Sequence, residues 1–229
     1  MKELQFCGVV DEILPNLDSP NRTDGIINSD DDFVVKFVTG RGSRGKKYIV
    51  DVAFPEKVKI HCDMNGVDES CAEFLTGLVG MIQPKIALET GTHRGRSTKA
   101  IAEALVINGH GMLWTVDRND YDVLSRALTP SEFDKVTQVI GETPQAFEED
   151  PLKSLEGIEF AFLDGGHDAF NVMAELEYVD AHRAEECIVA IDNTRDSMWP
   201  EQSEFLRSYD RYPIVSLPSM CGTDIIQMR

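Results

Sequence analysis

The sequence has no apolar run long enough to cross a bilayer, no Cys-x-x-Cys pair and little positive charge. Only 22 Lys and Arg stand against 40 Asp and Glu, for a net charge of −18 at pH 7. A surface that acidic repels phosphate backbones and anionic bilayers, so neither a nucleic acid nor a membrane is expected as a partner. The five cysteines, at positions 7, 62, 71, 187 and 221, have no paired spacing. They read neither as a disulfide framework nor as a zinc or iron–sulfur site. The first residues, MKELQFCGVVDEIL, lack the apolar core of a signal peptide. The expectation from these absences is a cytoplasmic protein in a reducing compartment. Its partner is expected to be a small molecule, and a homo-oligomer is compatible with the sequence.

What is present divides the 229 residues in two. Residues 1–68 are β-rich. The runs Phe33–Val38 and Tyr48–Phe54 flank the glycine-rich basic segment Thr39–Lys47, which suggests a hairpin with a long loop. From residue 69 onward, helical and strand patterns alternate. Ser70 reads as an N-cap with Glu73 three residues on, before a helix that Pro84 stops. Strands are expected at Ile86–Leu88, Met112–Val116, Val136–Ile140, Ile158–Leu163 and Cys187–Ile191, with two short ones near Ile214 and Ile225. A helix is expected over Asp168–Arg183. The alternation predicts an α/β fold: a mainly parallel, Rossmann-like sheet with helices on both faces.

Ligands of open α/β sheets bind beyond the carboxyl ends of the strands. Those ends carry Glu89-Thr90-Gly91-Thr92-His93-Arg94-Gly95-Arg96-Ser97, then Asp117, then Gly141-Glu142-Thr143, then Asp164-Gly165-Gly166-His167, and finally Asp192-Asn193. Glycines let a turn pass close to a ligand, and a helix N-terminus follows the first loop. Asp117 lies 22 residues past Gly95, where a carboxylate can accept ribose hydroxyls. The spacing E-x-G-x-x-x-G lacks the third glycine of a dinucleotide loop. It suits a sulfonium ligand with an amino-acid tail better. Each strand end has a plainer reading as well: Asp164-Gly165 as a turn, Asp192-Asn193 as a cap, and Asp168 or His167 as a neighbour of a helix cap.

The motifs LETGTHRGRS, TVDRND, FLDGGHDAF and AIDNT, from residue 69 to the C-terminus, resemble class I S-adenosylmethionine-dependent methyltransferases. The resemblance extends to the metal-dependent O-methyltransferases of the catechol, macrolide-sugar and cephalosporin-biosynthesis types. It implies a seven-stranded domain over 69–229, with residues 1–68 as an extension outside it. It implies that Glu89, Gly91 and Gly95 line the methionine part of S-adenosylmethionine, that Asp117 holds the ribose and that Glu142 lies near the adenine. Thr92, Ser97, Thr143 and Asp164 complete that set. Asp164, Asp192 and Asn193 match the metal ligands, with Mg²⁺ the best-suited ion and Mn²⁺ next. His167, with Asp164 as the other catalytic residue, matches the general base. An imidazole ordinarily titrates near working pH and can take a hydroxyl proton. The rivals are a metal-independent methyltransferase of the same fold, a non-catalytic cofactor-binding module and, against the glycine spacing, a nicotinamide-dependent oxidoreductase.

Overall fold

The computed structural model describes residues 67, 69–120, 122–195, 198–217 and 221–229, together with the backbone of three strands between 26 and 53. The chain divides into two compact units, Met1–Lys59 and Ile60–Arg229.

In the first unit, β1 (Ile26–Asn28), β2 (Val34–Gly42) and β3 (Gly45–Ala53) form an antiparallel sheet in that order. The register pairs Gly42 with Gly45 and Arg41 with Lys46. The glycine-rich basic segment is therefore mostly strand, and only two residues separate β2 from β3. The long loop expected there is replaced by a ladder that runs on to Gly42 and Gly45, despite the low strand propensity of glycine and lysine.

In the second unit, the elements in chain order are α1 (Glu69–Ile82), β4 (Ile86–Thr90), α2 (Arg96–Asn108), β5 (Met112–Asp117), α3 (Leu124–Ala127), α4 (Pro130–Phe133) and β6 (Val136–Ile140). They are followed by β7 (Ile158–Leu163), α5 (Ala169–His182), β8 (Arg183–Asp192), α6 (Pro200–Ser208), β9 (Ile214–Leu217) and β10 (Thr223–Met228). The sheet has seven strands in the order β6-β5-β4-β7-β8-β10-β9. All neighbours are parallel except β10, which is antiparallel to both β8 and β9. The order reverses between β4 and β7. That switch point opens the crevice in which such sheets bind ligands.

Successive strand residues point to opposite faces, so each strand feeds two cores. Leu88, Val116, Ala161, Leu163 and Ile191 pack with Leu176 and Val179 of α5. Ala87, Leu113, Phe160, Phe162 and Ala190 pack with Leu75 of α1 and Ile101 and Leu105 of α2. Burial on both faces explains why these strands read as continuous apolar runs.

Two boundaries differ from expectation. Ser70 lies inside α1, which already begins at Glu69. β8 begins at Arg183, four residues earlier than the apolar run, because its first residues extend beyond the buried core, where polar side chains are tolerated. Asp168 is the N-cap of α5 and accepts from the Asn171 N–H at 2.9 Å. Cys71 and Cys187 are buried and outside any disulfide, and burial pushes the Cys187 thiol up to about 12. Among the described residues no helix is long and apolar enough to cross a membrane.

Candidate active site

The turn after β4 is built around Glu89. This side chain is fully buried at the strand end. Its Oε2 accepts the Thr98 and Thr115 hydroxyls, each at 2.6 Å. Because the Thr115 hydroxyl donates to Glu89, the Thr92 hydroxyl at 2.6 Å must donate to Thr115. Ser97, also buried, faces the same carboxyl. Burial holds the Glu89 carboxyl above its ordinary range, and these hydroxyls partly offset the cost. Glu89, Thr92, Ser97, Thr98 and Thr115 thus fix the loop from beneath.

Gly91 has φ +86°, and a Cβ there would collide with the Asp164 carbonyl across the switch point. The Gly91 N–H donates to the Val116 carbonyl at 2.8 Å. Gly95, at φ +74°, occupies the N-cap of α2 and packs against Leu124. Asp117, at the end of β5, receives the backbone N–H groups of His93 at 2.8 Å and Asn119 at 2.9 Å, one on each oxygen. Each oxygen keeps acceptor capacity for a ligand hydroxyl. Glu142, at the end of β6, faces Arg118 at 3.7 Å with both side chains mostly exposed, an ion pair worth at most about 1 kcal/mol.

The acids after β7 and β8 converge. The Asn193 Nδ2 donates to Asp164 Oδ1 at 2.8 Å and lies 3.4 Å from Asp192 Oδ2. Asn193 holds φ +60°, a left-handed conformation that asparagine tolerates better than most residues. The Thr223 hydroxyl donates to Asp192 Oδ1 at 3.1 Å, and Gln202 Nε2 donates to the Asp192 carbonyl at 2.5 Å. The Asp164 carboxyl is pushed well above the usual carboxylate range, first by burial, then by Asp192 and Glu89. His167 Nε2 stands 3.9 Å from Asp164 Oδ1. The Trp199 ring lies 4.8 Å from the imidazole at a tilt of 39°. Beside this crevice, His93, Arg94 and Arg126 line an open groove of about 480 Å³. His110 and His182 hydrogen-bond to nearby backbone carbonyls, apart from these residues.

Residues 88–194 match the family described as a methyltransferase domain. This stretch is similar to a methyltransferase domain over just under half of the chain. The fold is the class I, Rossmann-like one. A Klebsiella pneumoniae protein assigned as an O-methyltransferase is 21% identical, with a TM-score of 0.61 over 75% of this chain and 85% of its own. The Bacillus cereus O-methyltransferase in complex with S-adenosylhomocysteine is 18% identical, at 0.59 over 73% and 84%. The Streptomyces achromogenes O-methyltransferase of tomaymycin synthesis, in complex with S-adenosylmethionine, is 16% identical, at 0.57 over 71% and 81%. No curated protein matches the sequence.

The second unit also holds a buried acid that does not lie at a strand end. Glu175 of α5 is buried, and its Oε1 accepts the Thr143 hydroxyl at 2.7 Å. Its signal in the sequence is an acid inside the apolar stripe Val172, Glu175, Leu176, Val179. Burial pushes its carboxyl up to about 7, against the opposing hydrogen bonds from Thr143, Thr90 and the Gly166 N–H. A carboxyl raised in the folded state stabilises the fold below its unfolded value of 4.5, and that stability is lost as pH rises towards 7. From pH 5.5 to 8 the loss from Glu175 is about 2 kcal/mol. Glu175→Gln is therefore expected to flatten the fall in Tm between these pH values. Melting curves of both proteins at several pH values check this, and parallel curves would refute it.

Proposed function

We propose that this protein transfers the methyl group of S-adenosylmethionine to a hydroxyl of a small molecule, with Asp164, Asp192 and Asn193 holding a divalent cation. The observation that carries the reading is their convergence at the switch point, with His167 beside Asp164. The loop from Gly91 to Gly95 and the N-terminus of α2 receive the methionine part of the cofactor. Asp117 receives the ribose, and Glu142 and Thr143 flank the nucleobase. Neighbours of the same fold that carry S-adenosylmethionine or S-adenosylhomocysteine support this cofactor class.

The residues fit a hard cation. Burial first, then the neighbouring Asp192 and Glu89 carboxyls, hold Asp164 well above its ordinary range, and a divalent ion would offset that cost. Among the described residues no cluster of three His, Cys, Asp or Glu could hold a metal; a cation here would take Asn193 as third donor only with its amide turned, so that the oxygen replaces the Nδ2 now facing both carboxyls. Mg²⁺ suits such oxygens best, then Mn²⁺. When bound, the ion lowers the pKa of an acceptor hydroxyl. The His167 imidazole, 3.9 Å from Asp164 Oδ1, takes the acceptor proton. The acceptor oxygen then forms its bond to the methyl carbon as the sulfur–methyl bond breaks, leaving neutral S-adenosylhomocysteine. The proton passes from His167 to solvent. The Trp199 ring bounds the imidazole on one side and limits its rotation.

One observation favours a second reading, methylation by positioning alone: the Asn193 Nδ2 already bonds Asp164 and approaches Asp192, satisfying both without an ion. Labelled methyl transfer to a panel of vicinal diols and catechol-like compounds, with Mg²⁺ or with chelator, separates the two. Turnover that survives chelation removes the cation from the mechanism. His167→Gln is expected to lower kcat by roughly 10²- to 10⁴-fold while S-adenosylhomocysteine affinity stays within about twofold. A wild-type kcat would remove His167 as the base.

A further inference from the structure

Gly165 and Gly166 have no room for side chains. A Cβ on Gly165 would lie 2.7 Å from Glu175 Oε1 and 3.1 Å from the Thr90 hydroxyl. One on Gly166 would meet the Asn171 side chain at 2.6 Å. The loop that carries Asp164 and His167 is therefore pressed onto α5 at Glu175. The same carboxyl faces the Gly166 N–H and accepts the Thr143 hydroxyl at 2.7 Å from the loop after β6. Its other oxygen, Oε2, is buried outside good hydrogen-bond geometry, and the Thr90 hydroxyl also faces the carboxyl. An apolar residue of similar size at position 175 would meet neither the Thr143 hydroxyl nor the Gly166 N–H with an acceptor.

We propose that Glu175 is a positioning residue that clasps the loop after β6 to the Asp164–His167 loop, so that one buried carboxyl sets both sides of the crevice. What the crevice binds rests on the methyltransferase reading; the clasp itself rests on geometry alone. Thr143 is the sole side chain of its loop that bonds the carboxyl, and Gly166 is the matching backbone group on the other loop.

Hydrogen exchange at the Gly165, Gly166 and His167 amides, with S-adenosylhomocysteine affinity by calorimetry, tests the clasp. Thr143→Val is expected to speed exchange at those amides roughly tenfold, although position 143 lies in the other loop. It is expected to weaken S-adenosylhomocysteine binding by a similar factor. Thr143→Ser should restore both, and Glu175→Gln, which still accepts from Thr143, should remain near wild type where Glu175→Ala does not. The double variant Thr143→Val with Glu175→Ala should be no worse than Glu175→Ala alone. Unchanged exchange in Thr143→Val, or full multiplication of the two effects, overturns the proposal. If Glu175→Ala does not fold, the Thr143→Val and Thr143→Ser pair still decides. If the wild type fails to bind S-adenosylhomocysteine, the function reading falls, while the exchange measurement still judges the clasp.

Discussion

Gly91→Ala is expected to abolish measurable S-adenosylhomocysteine binding and to destabilise the domain by about 3–5 kcal/mol. Two costs combine there. A side chain at φ +86° is strained by about 1–2 kcal/mol. The new methyl also meets the Asp164 backbone, which cannot move aside as a flexible side chain would. Relief requires the ends of β4 and β7 to part, and that opens the crevice itself. Gly109→Ala is the control. It has a similar φ of +76° but open space around its Cβ position, so only the strain remains. The pair of melting curves separates strain from collision. Equal losses of Tm would mean that the close approach of Gly91 to Asp164 does not matter.

The second large effect has opposite signs for stability and function. Asp164→Asn is expected to raise the Tm of the metal-free protein at pH 8. It removes a buried charge that burial, Asp192 and Glu89 all disfavour, while its amide oxygen still accepts from Asn193. The sign follows from the raised carboxyl: the wild type is fully stable only where Asp164 is protonated, and it loses that contribution as pH rises. The gain should vanish at acidic pH. The same substitution is expected to weaken Mn²⁺ binding by about 100-fold or more, since even outer-shell changes cost 10- to 100-fold. S-adenosylhomocysteine binding should persist. A more stable, metal-blind variant would mark Asp164 as a residue kept for chemistry at the expense of the fold. Unchanged Mn²⁺ affinity in both Asp164→Asn and Asp192→Asn would remove the cation from the proposal and leave the cofactor reading intact.

The strand-end residues were legible because strand ends in an α/β chain announce themselves. An apolar run stops, and a glycine or acid follows, as at Glu89-Thr90-Gly91 and Asp164-Gly165-Gly166. The hairpin of the first unit was half legible. Its two strands stood out by β-branched composition, but glycines and lysines disguised where they end. Glu175 escaped because a helix pattern marks a face, and a single acid on that face looks like noise until its partners in two loops are known.

By itself the sequence determined the alternation of elements, the glycines and acids at each strand end and the strongly acidic net charge. These follow from local composition and periodicity, which need no neighbour in space. Only the tertiary structure decided that β4 lies beside β7 and β7 beside β8. That order brings Gly91 under Asp164 and Asp164 to Asn193 across 29 residues of chain. It also decided that Glu89 is sealed beneath its loop and that Glu175 reaches two loops at once. Strand order and burial depend on long-range packing, and no local pattern encodes which strand end will face which.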